Sequence, residues 1–190
     1  MTGIGAFARD TPDVPAIVML GATVTFAELD RRQRLLTGAL QAAGIGGGDR
    51  IGVLSNNRPE SLEVTTGALR AGIVPVPINS LLSPSEVAFL LEDSGARWFL
   101  TDRAMDLDPG VERVVTFGDA YERCLHEATP AEISDVSRGR PMHYTSGTTG
   151  QPKGVWVPPS SEADALANSE DFIRLWGLAP DDLHLVCSPL

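Results

Sequence analysis

The chain has 190 residues, of which 43% are hydrophobic, and 15 Lys and Arg against 25 Asp and Glu give a formal net charge of −10. This is a globular composition, not a disordered one, and the length suffices for one good-sized core or two small ones. An acidic chain without a basic cluster argues against nucleic-acid binding and against an anionic membrane surface, which leaves solubility as the plain reading of the charge.

The first residues, Met1-Thr2-Gly3-Ile4-Gly5, lack the basic start and long apolar core of a signal peptide. No apolar run approaches the roughly 20 residues needed to span a bilayer, so a cytoplasmic protein is the default expectation. Residues 16–20 and 23–25 predict a hairpin around Gly21-Ala22. Thr25-Phe26-Ala27-Glu28 has capping-box form and opens a helix with Leu29, Leu36, Leu40 and Ala43 on one face, closed by Gly44. The glycine-rich run 44–49 does not fit a dinucleotide-binding turn. Asp49 stands where the last glycine belongs, and the run follows a helix and precedes a strand, the reverse of the required order.

Residues 51–54 then read as a short buried strand. Asn57-Arg58-Pro59 starts a helix with proline at an early position where no N–H is needed, and Gly72 closes it. Residues 73–77 predict a second strand. Ser83-Pro84-Ser85-Glu86 opens another helix by capping-box logic, running towards Gly95, and 98–101 and 111–117 hold a third and a fourth strand. Strand–helix–strand repetition with short glycine-marked joints implies parallel pairing in a layered α/β fold, a mostly parallel sheet flanked by helices. A short helix is expected over 119–127, a polar surface connection over 129–139, a short strand at 155–157 and a helix over 161–176. The run 183–190 reads as a buried strand entering a turn.

Cys124 and Cys187 lie far apart, in no metal-like spacing, and read as idle thiols in a reducing compartment. His126, His143 and His184 form no ligand pattern, and His143 reads as the end of a buried strand beside a loop. That loop, Tyr144-Thr145-Ser146-Gly147-Thr148-Thr149-Gly150-Gln151-Pro152-Lys153-Gly154, carries the chemistry of the chain. It gathers hydroxyls, glycines and a lysine between two apolar stretches. Glycines let backbone N–H groups approach a phosphate, hydroxyls donate to phosphate oxygens, and a lysine adds a compact positive charge. A Walker P-loop is excluded: Pro152 stands at its second glycine, Gly154 at its magnesium-binding hydroxyl, and a strand follows where a helix is required. A P-loop kinase is disfavoured on the same grounds.

Every fixed position from Tyr144 to Val155 matches the [YF]-T-S-G-[ST]-T-G-x-P-K-G-V signature, so the loop resembles the phosphate-binding loop of the acyl-adenylate-forming (AMP-binding) enzymes. Acyl-CoA synthetases, peptide-synthetase adenylation domains and luciferases are the members of that family. Gly48-Asp49-Arg50-Ile51, Asn57-Arg58-Pro59-Glu60 and Ala71-Gly72-Ile73-Val74-Pro75-Val76-Pro77-Ile78-Asn79 are similar to further family segments in the same order. The resemblance implies an acid–thiol ligase, most like an acyl-CoA (fatty-acid–CoA) synthetase of fatty acid metabolism. A small carboxylic acid attacks ATP to give an acyl-adenylate, which passes to coenzyme A, with Mg2+ assisting. It implies that Thr145, Ser146, Thr148 and Thr149 donate to the ATP phosphates, that Gly147 and Gly150 allow close backbone approach, that Lys153 supplies charge, and that Thr145 contacts magnesium. No catalytic residue is assigned, and homodimerisation is left open.

Two departures stand beside the match. Relatives continue past the loop with a Thr/Ser-His pair, whereas this chain reads Trp156-Val157-Pro158-Pro159, so no role carries over beyond Val155. Family members are also more than twice as long. Residues 1–190 therefore read as an incomplete N-terminal AMP-binding domain, the N-terminal part of the large domain, without the C-terminal remainder and small lid domain, and inactive by itself. A peptide-synthetase-type adenylation domain, an aryl-acid ligase and a non-catalytic nucleotide-binding module are the alternatives.

Overall fold

The computed structural model describes residues 2–19, 21–106, 110–145 and 152–186. It opens with a helix that the sequence pattern did not announce, α1 (Ile4–Asp10). Phe7 of α1 stacks on Phe26 with ring centroids 4.8 Å apart. The expected hairpin follows as β1 (Pro15–Met19) and β2 (Ala22–Thr25), paired antiparallel. Helix α2 (Phe26–Ala42) starts at Thr25, whose hydroxyl accepts from the Glu28 N–H at 3.3 Å. Only half of the expected capping box forms, because the Glu28 carboxylate turns outward to Arg31 at 2.8 Å.

The central unit runs β3 (Arg50–Leu54), α3 (Pro59–Arg70), β4 (Val74–Ile78), α4 (Pro84–Ser94), β5 (Ala96–Thr101) and β6 (Arg113–Thr116). The capping box of α4 is complete, with Ser83 and Glu86 bonding each other's backbone N–H, and Gly95 closes the helix at φ 66° in the left-handed region. The four strands form one parallel sheet in the order β4-β3-β5-β6. Successive side chains alternate between its faces. Ile51, Val53, Trp98 and Leu100 pack with Leu36, Leu40 and Val64 of α2 and α3, and with Tyr121 and Cys124 of α5 (Asp119–His126). Leu54, Val76, Ile78 and Phe99 pack with Val87, Leu90 and Leu91 of α4. Two helical layers thus enclose the sheet.

The prolines of β4 explain why it is an edge strand. The Val74 N–H bonds the Asp49 carbonyl towards β3, so Pro75 and Pro77 face the outer edge, where a missing N–H costs nothing to the ladder. Among the described residues, the Met142 N–H uses that edge, donating to the Pro75 carbonyl at 2.9 Å.

The segment over 129–139 is irregular and mostly at the surface, as expected, but it is also anchored to the helices. It is laced to α2 and α3 through Ala131 N–H to the Arg34 carbonyl, Ser134 N–H to the Arg70 carbonyl and Arg138 N–H to the Leu69 carbonyl. Ser134 and Val136 are buried. The cause is Arg70, which is 1% exposed. A guanidinium taken out of water must have its donors matched, and Arg70 does so at 2.6 Å each with the Ser134 carbonyl, Gln33 and Asp30. Gly38 admits the crossing, since a Cβ there would sit 1.8 Å from the Thr129 carbonyl oxygen.

Beyond the segment lie β7 (His143–Thr145), β8 (Lys153–Val155) and α6 (Glu162–Trp176). The strand expected over 183–190 is not formed in its described part: residues 183–186 have no strand pairing, and Leu183 and Leu185 are 94% and 87% exposed. An apolar run becomes a strand only against a partner, and none of the described residues offers one. In α6, likewise, only Ala165 is buried, while Leu166, Phe172, Leu175 and Trp176 are exposed. Among the described residues no helix is long and apolar enough to cross a membrane.

Candidate functional site

The candidate loop stands on a small hairpin whose base is tied to the end of the sheet where β3 and β5 begin. Met142 docks on Pro75 and buries its side chain in the α4-side core. Strands β7 and β8 then pair antiparallel, with His143 opposite Val155, Tyr144 opposite Gly154 and Thr145 opposite Lys153.

Tyr144 is the anchor of the inbound strand. Its hydroxyl donates to the Asp93 carboxylate at 2.6 Å and reaches the Leu90 carbonyl at 3.5 Å, both on α4. Burial, then the Asp93 carboxylate, holds the phenol well above its usual range, so it remains a neutral donor. The proton of this hydroxyl is therefore spent on the scaffold. Gly154 lies beneath the ring: a Cβ there would meet Tyr144 Cζ at 3.2 Å, the Tyr144 hydroxyl at 3.3 Å and Met142 Cε at 2.2 Å. The glycine after the loop lysine is thus required by close approach of an aromatic side chain. Sequence reasoning missed the Tyr144–Asp93 pair. Its partners are 51 residues apart and carry no local signal.

Of the predicted site residues, the structure brings Thr145 and Lys153 together. They are cross-strand partners at the open end of the hairpin, both exposed, and the Thr145 hydroxyl lies 3.5 Å from the Lys153 carbonyl. Ser146, Gly147, Thr148, Thr149 and Gly150 lie outside the described residues. The expectation that His143 ends a buried strand is corrected, since His143 is exposed on β7. His126 and His184 are exposed as well. Cys124 is buried without a disulfide, its thiol pushed up by burial, and Cys187 lies outside the described residues. A hydroxyl-bearing and an ammonium-bearing residue paired across two exposed strands fit an oxyanion. Among the described residues no group of three or more His, Cys, Asp or Glu could hold a metal by itself. The donor chemistry thus suits a cation that arrives with its own oxygen ligands, as magnesium does on phosphates.

A separate groove of 610 Å³ opens at the carboxyl ends of β3 and β5, where open α/β sheets usually bind ligands. It is lined by Asn56, Arg58, Asp102 and Glu122 among others. Its charges are largely spent on one another. Arg32 bridges Glu63 at 2.5 Å and Glu122 at 2.8 Å, Arg58 holds Glu60 at 2.7 Å, and Tyr121 donates to Glu63. Burial pushes the Glu63 carboxyl up, with Arg32 opposing. Among the described residues of the candidate loop, neither Thr145 nor Lys153 lines this groove.

The sequence profile of the AMP-binding enzymes matches residues 5–190. The fatty acid–[acyl-carrier-protein] ligase ScoC of Streptomyces coeruleorubidus is 35% identical over 177 residues, 85% of this chain and 34% of that protein. The 2-succinylbenzoate–CoA ligase of Bacillus subtilis is 34% identical over 186 residues, 96% of this chain and 37% of that protein. The chain therefore spans little more than a third of the length of these curated relatives. Among solved structures, the o-succinylbenzoate coenzyme A synthetase MenE of Bacillus subtilis in complex with ATP and magnesium ion superposes with a TM-score of 0.74 at 27% identity, covering 98% of this chain and 50% of that one.

Proposed function

The chain belongs to the AMP-binding enzyme family, and from that premise we propose that its hairpin loop binds the phosphates of ATP in an acid–thiol ligase reaction. In this reading the hydroxyls of Thr145, Ser146, Thr148 and Thr149 donate to the phosphate oxygens, Gly147 and Gly150 permit close backbone approach, and Lys153 balances charge. Thr145 would also help to hold the magnesium that accompanies ATP. That ion would neutralise charge on the phosphates as pyrophosphate leaves. The residues of the loop would hold the β- and γ-phosphates in line and stabilise the growing negative charge by pre-positioned donors. The observation that carries the proposal is the Thr145–Lys153 cross-strand pair at the open end of a hairpin anchored by Tyr144.

The loop accounts for nucleotide binding and not for the whole reaction. We assign the acyl donor to carboxylic acids, and to fatty acids first, because ScoC is named a fatty acid ligase and is 35% identical. The acceptor is a thiol. Coenzyme A is supported by the name of the 2-succinylbenzoate ligase and a carrier-protein thiol by that of ScoC. Isothermal titration of the chain with Mg-ATP tests the phosphate reading. Binding is expected, with Lys153→Ala and Thr148→Ala each weakening it roughly ten-fold, the loss of one charge-assisted contact. Parental affinity in both variants, or no binding by the parent chain, would sink the proposal.

A further inference from the structure

The inbound strand of the hairpin is held by Met142 and Tyr144, whereas on the outgoing strand Lys153, Gly154 and Val155 are all exposed, and among the described residues β8 pairs with β7 alone. What ties it to the sheet is the next residue. The guanidinium of Arg50, the first residue of β3, lies over the Trp156 ring at 4.8 Å from its centroid. Arg50 is set apart from its neighbours by its lack of a carboxylate. The nearby acids are taken by Arg97, which reaches Asp49 at 3.2 Å and Glu112 at 2.6 Å. Arg97 can do so because the β3–β5 register shifts between Arg50 and Ile51, making it the extra residue of a bulge, a device that re-aims side chains. Arg50 forms no ion pair among the described residues, and its Nε is buried without a hydrogen-bond partner. A guanidinium left in this state gains most by stacking on an aromatic face.

We propose that Arg50 is a positioning residue of the phosphate loop, acting through the Trp156 ring to fix the outgoing strand and hence Lys153. The proposal rests on reading the loop as the nucleotide site. Trp156 is three residues from Lys153, about 10 Å along an extended chain. Freeing it lets the lysine drift by a distance that matters to a charge-assisted contact, while no atom touching the ligand is removed.

Amide hydrogen exchange on the ligand-free chain and calorimetry with Mg-ATP test this together. Arg50→Ala and Trp156→Ala are each expected to speed exchange at 153–155 roughly five-fold, with no further gain in the double variant. Trp156→Phe should retain most of the protection, and Arg50→Lys, which keeps the charge but loses the planar stack, only part of it. Mg-ATP affinity should fall in the same order. Unchanged exchange, or additive effects in the double variant, overturns the clamp. Faster exchange with parental Mg-ATP affinity overturns the positioning role. A parent chain that shows the coupled exchange pattern but binds no Mg-ATP upholds the clamp and removes the nucleotide reading instead.

Discussion

Tyr144→Phe isolates the anchor of the candidate loop. The change deletes one hydroxyl and keeps the ring that covers Gly154 and packs near Met142. The lost hydrogen bond is short, 2.6 Å, and has an ionised acceptor, which favours the upper end of the usual range. Asp93 is exposed, however, so its carboxylate regains water when the partner is lost, which lowers the net cost to about 1 kcal/mol. Urea denaturation at neutral pH should show the midpoint falling with an unchanged slope. A double-mutant cycle with Asp93→Ala should give a coupling of about 0.5–1.5 kcal/mol. The pH arm has a fixed sign. A phenol raised above its ordinary value of 10.0 keeps its proton in the folded chain while the unfolded chain releases it. Its stabilisation is complete below pH 10 and is lost as pH rises towards the folded value, with a slope that solvent screening at this half-buried site keeps below the ~1.4 kcal/mol per pH unit of one fully linked proton. The chain has two tyrosines, and Tyr121, buried beside Glu63, is raised in the same direction. Tyr144→Phe should therefore reduce the tyrosine-dependent slope above pH 10 and leave the part that belongs to Tyr121. Additive single-variant effects, together with an alkaline slope equal to that of the parent chain, would refute the anchor.

Three further outcomes follow from the packing. Arg70→Leu strands the Gln33 Oε1 and the Ser134 carbonyl and leaves Asp30 only its pair with Arg34, around a site that is 1% exposed, so urea melts should show a loss of about 3–5 kcal/mol; a loss below 1 kcal/mol would contradict the assigned network. Gly154→Ala forces a Cβ to within 3.2 Å of the Tyr144 ring, while the Met142 terminus can swing aside; a cost of about 1 kcal/mol in thermal melts is expected, together with weaker Mg-ATP binding. Leu175→Asp, at a side chain 79% exposed, should change stability by less than about 0.5 kcal/mol and reduce concentration-dependent association in sedimentation velocity; a large destabilisation would mean that the α6 face is packed in solution.

The parts of this fold legible in the sequence are those decided within a few residues. Ser83 and Glu86 announce α4 because the cap they form closes over three positions, and Pro59 and Gly95 mark helix ends through their own backbone preferences. The capping box at Thr25 misled by half, because Glu28 had a second partner, Arg31, one helical turn away. The helix α1 escaped notice for a related reason. Its Gly3 N-cap makes no side-chain cap bond, and its support comes from Phe26 and from Asp135, which pairs with Arg9 at 2.5 Å. The same division runs through the candidate site. The hydroxyls, glycines and lysine of the loop are contiguous, so their chemistry could be read directly. What holds them is not contiguous: Asp93 under Tyr144, Pro75 on Met142 and Arg50 over Trp156 come from three other elements. A sequence pattern can therefore nominate the atoms proposed to meet a phosphate. Whether those atoms are held where the phosphate needs them depends on contacts that only the folded sheet creates. In this chain those contacts gather at the amino ends of the strands, away from the carboxyl-end groove that the architecture alone would have nominated.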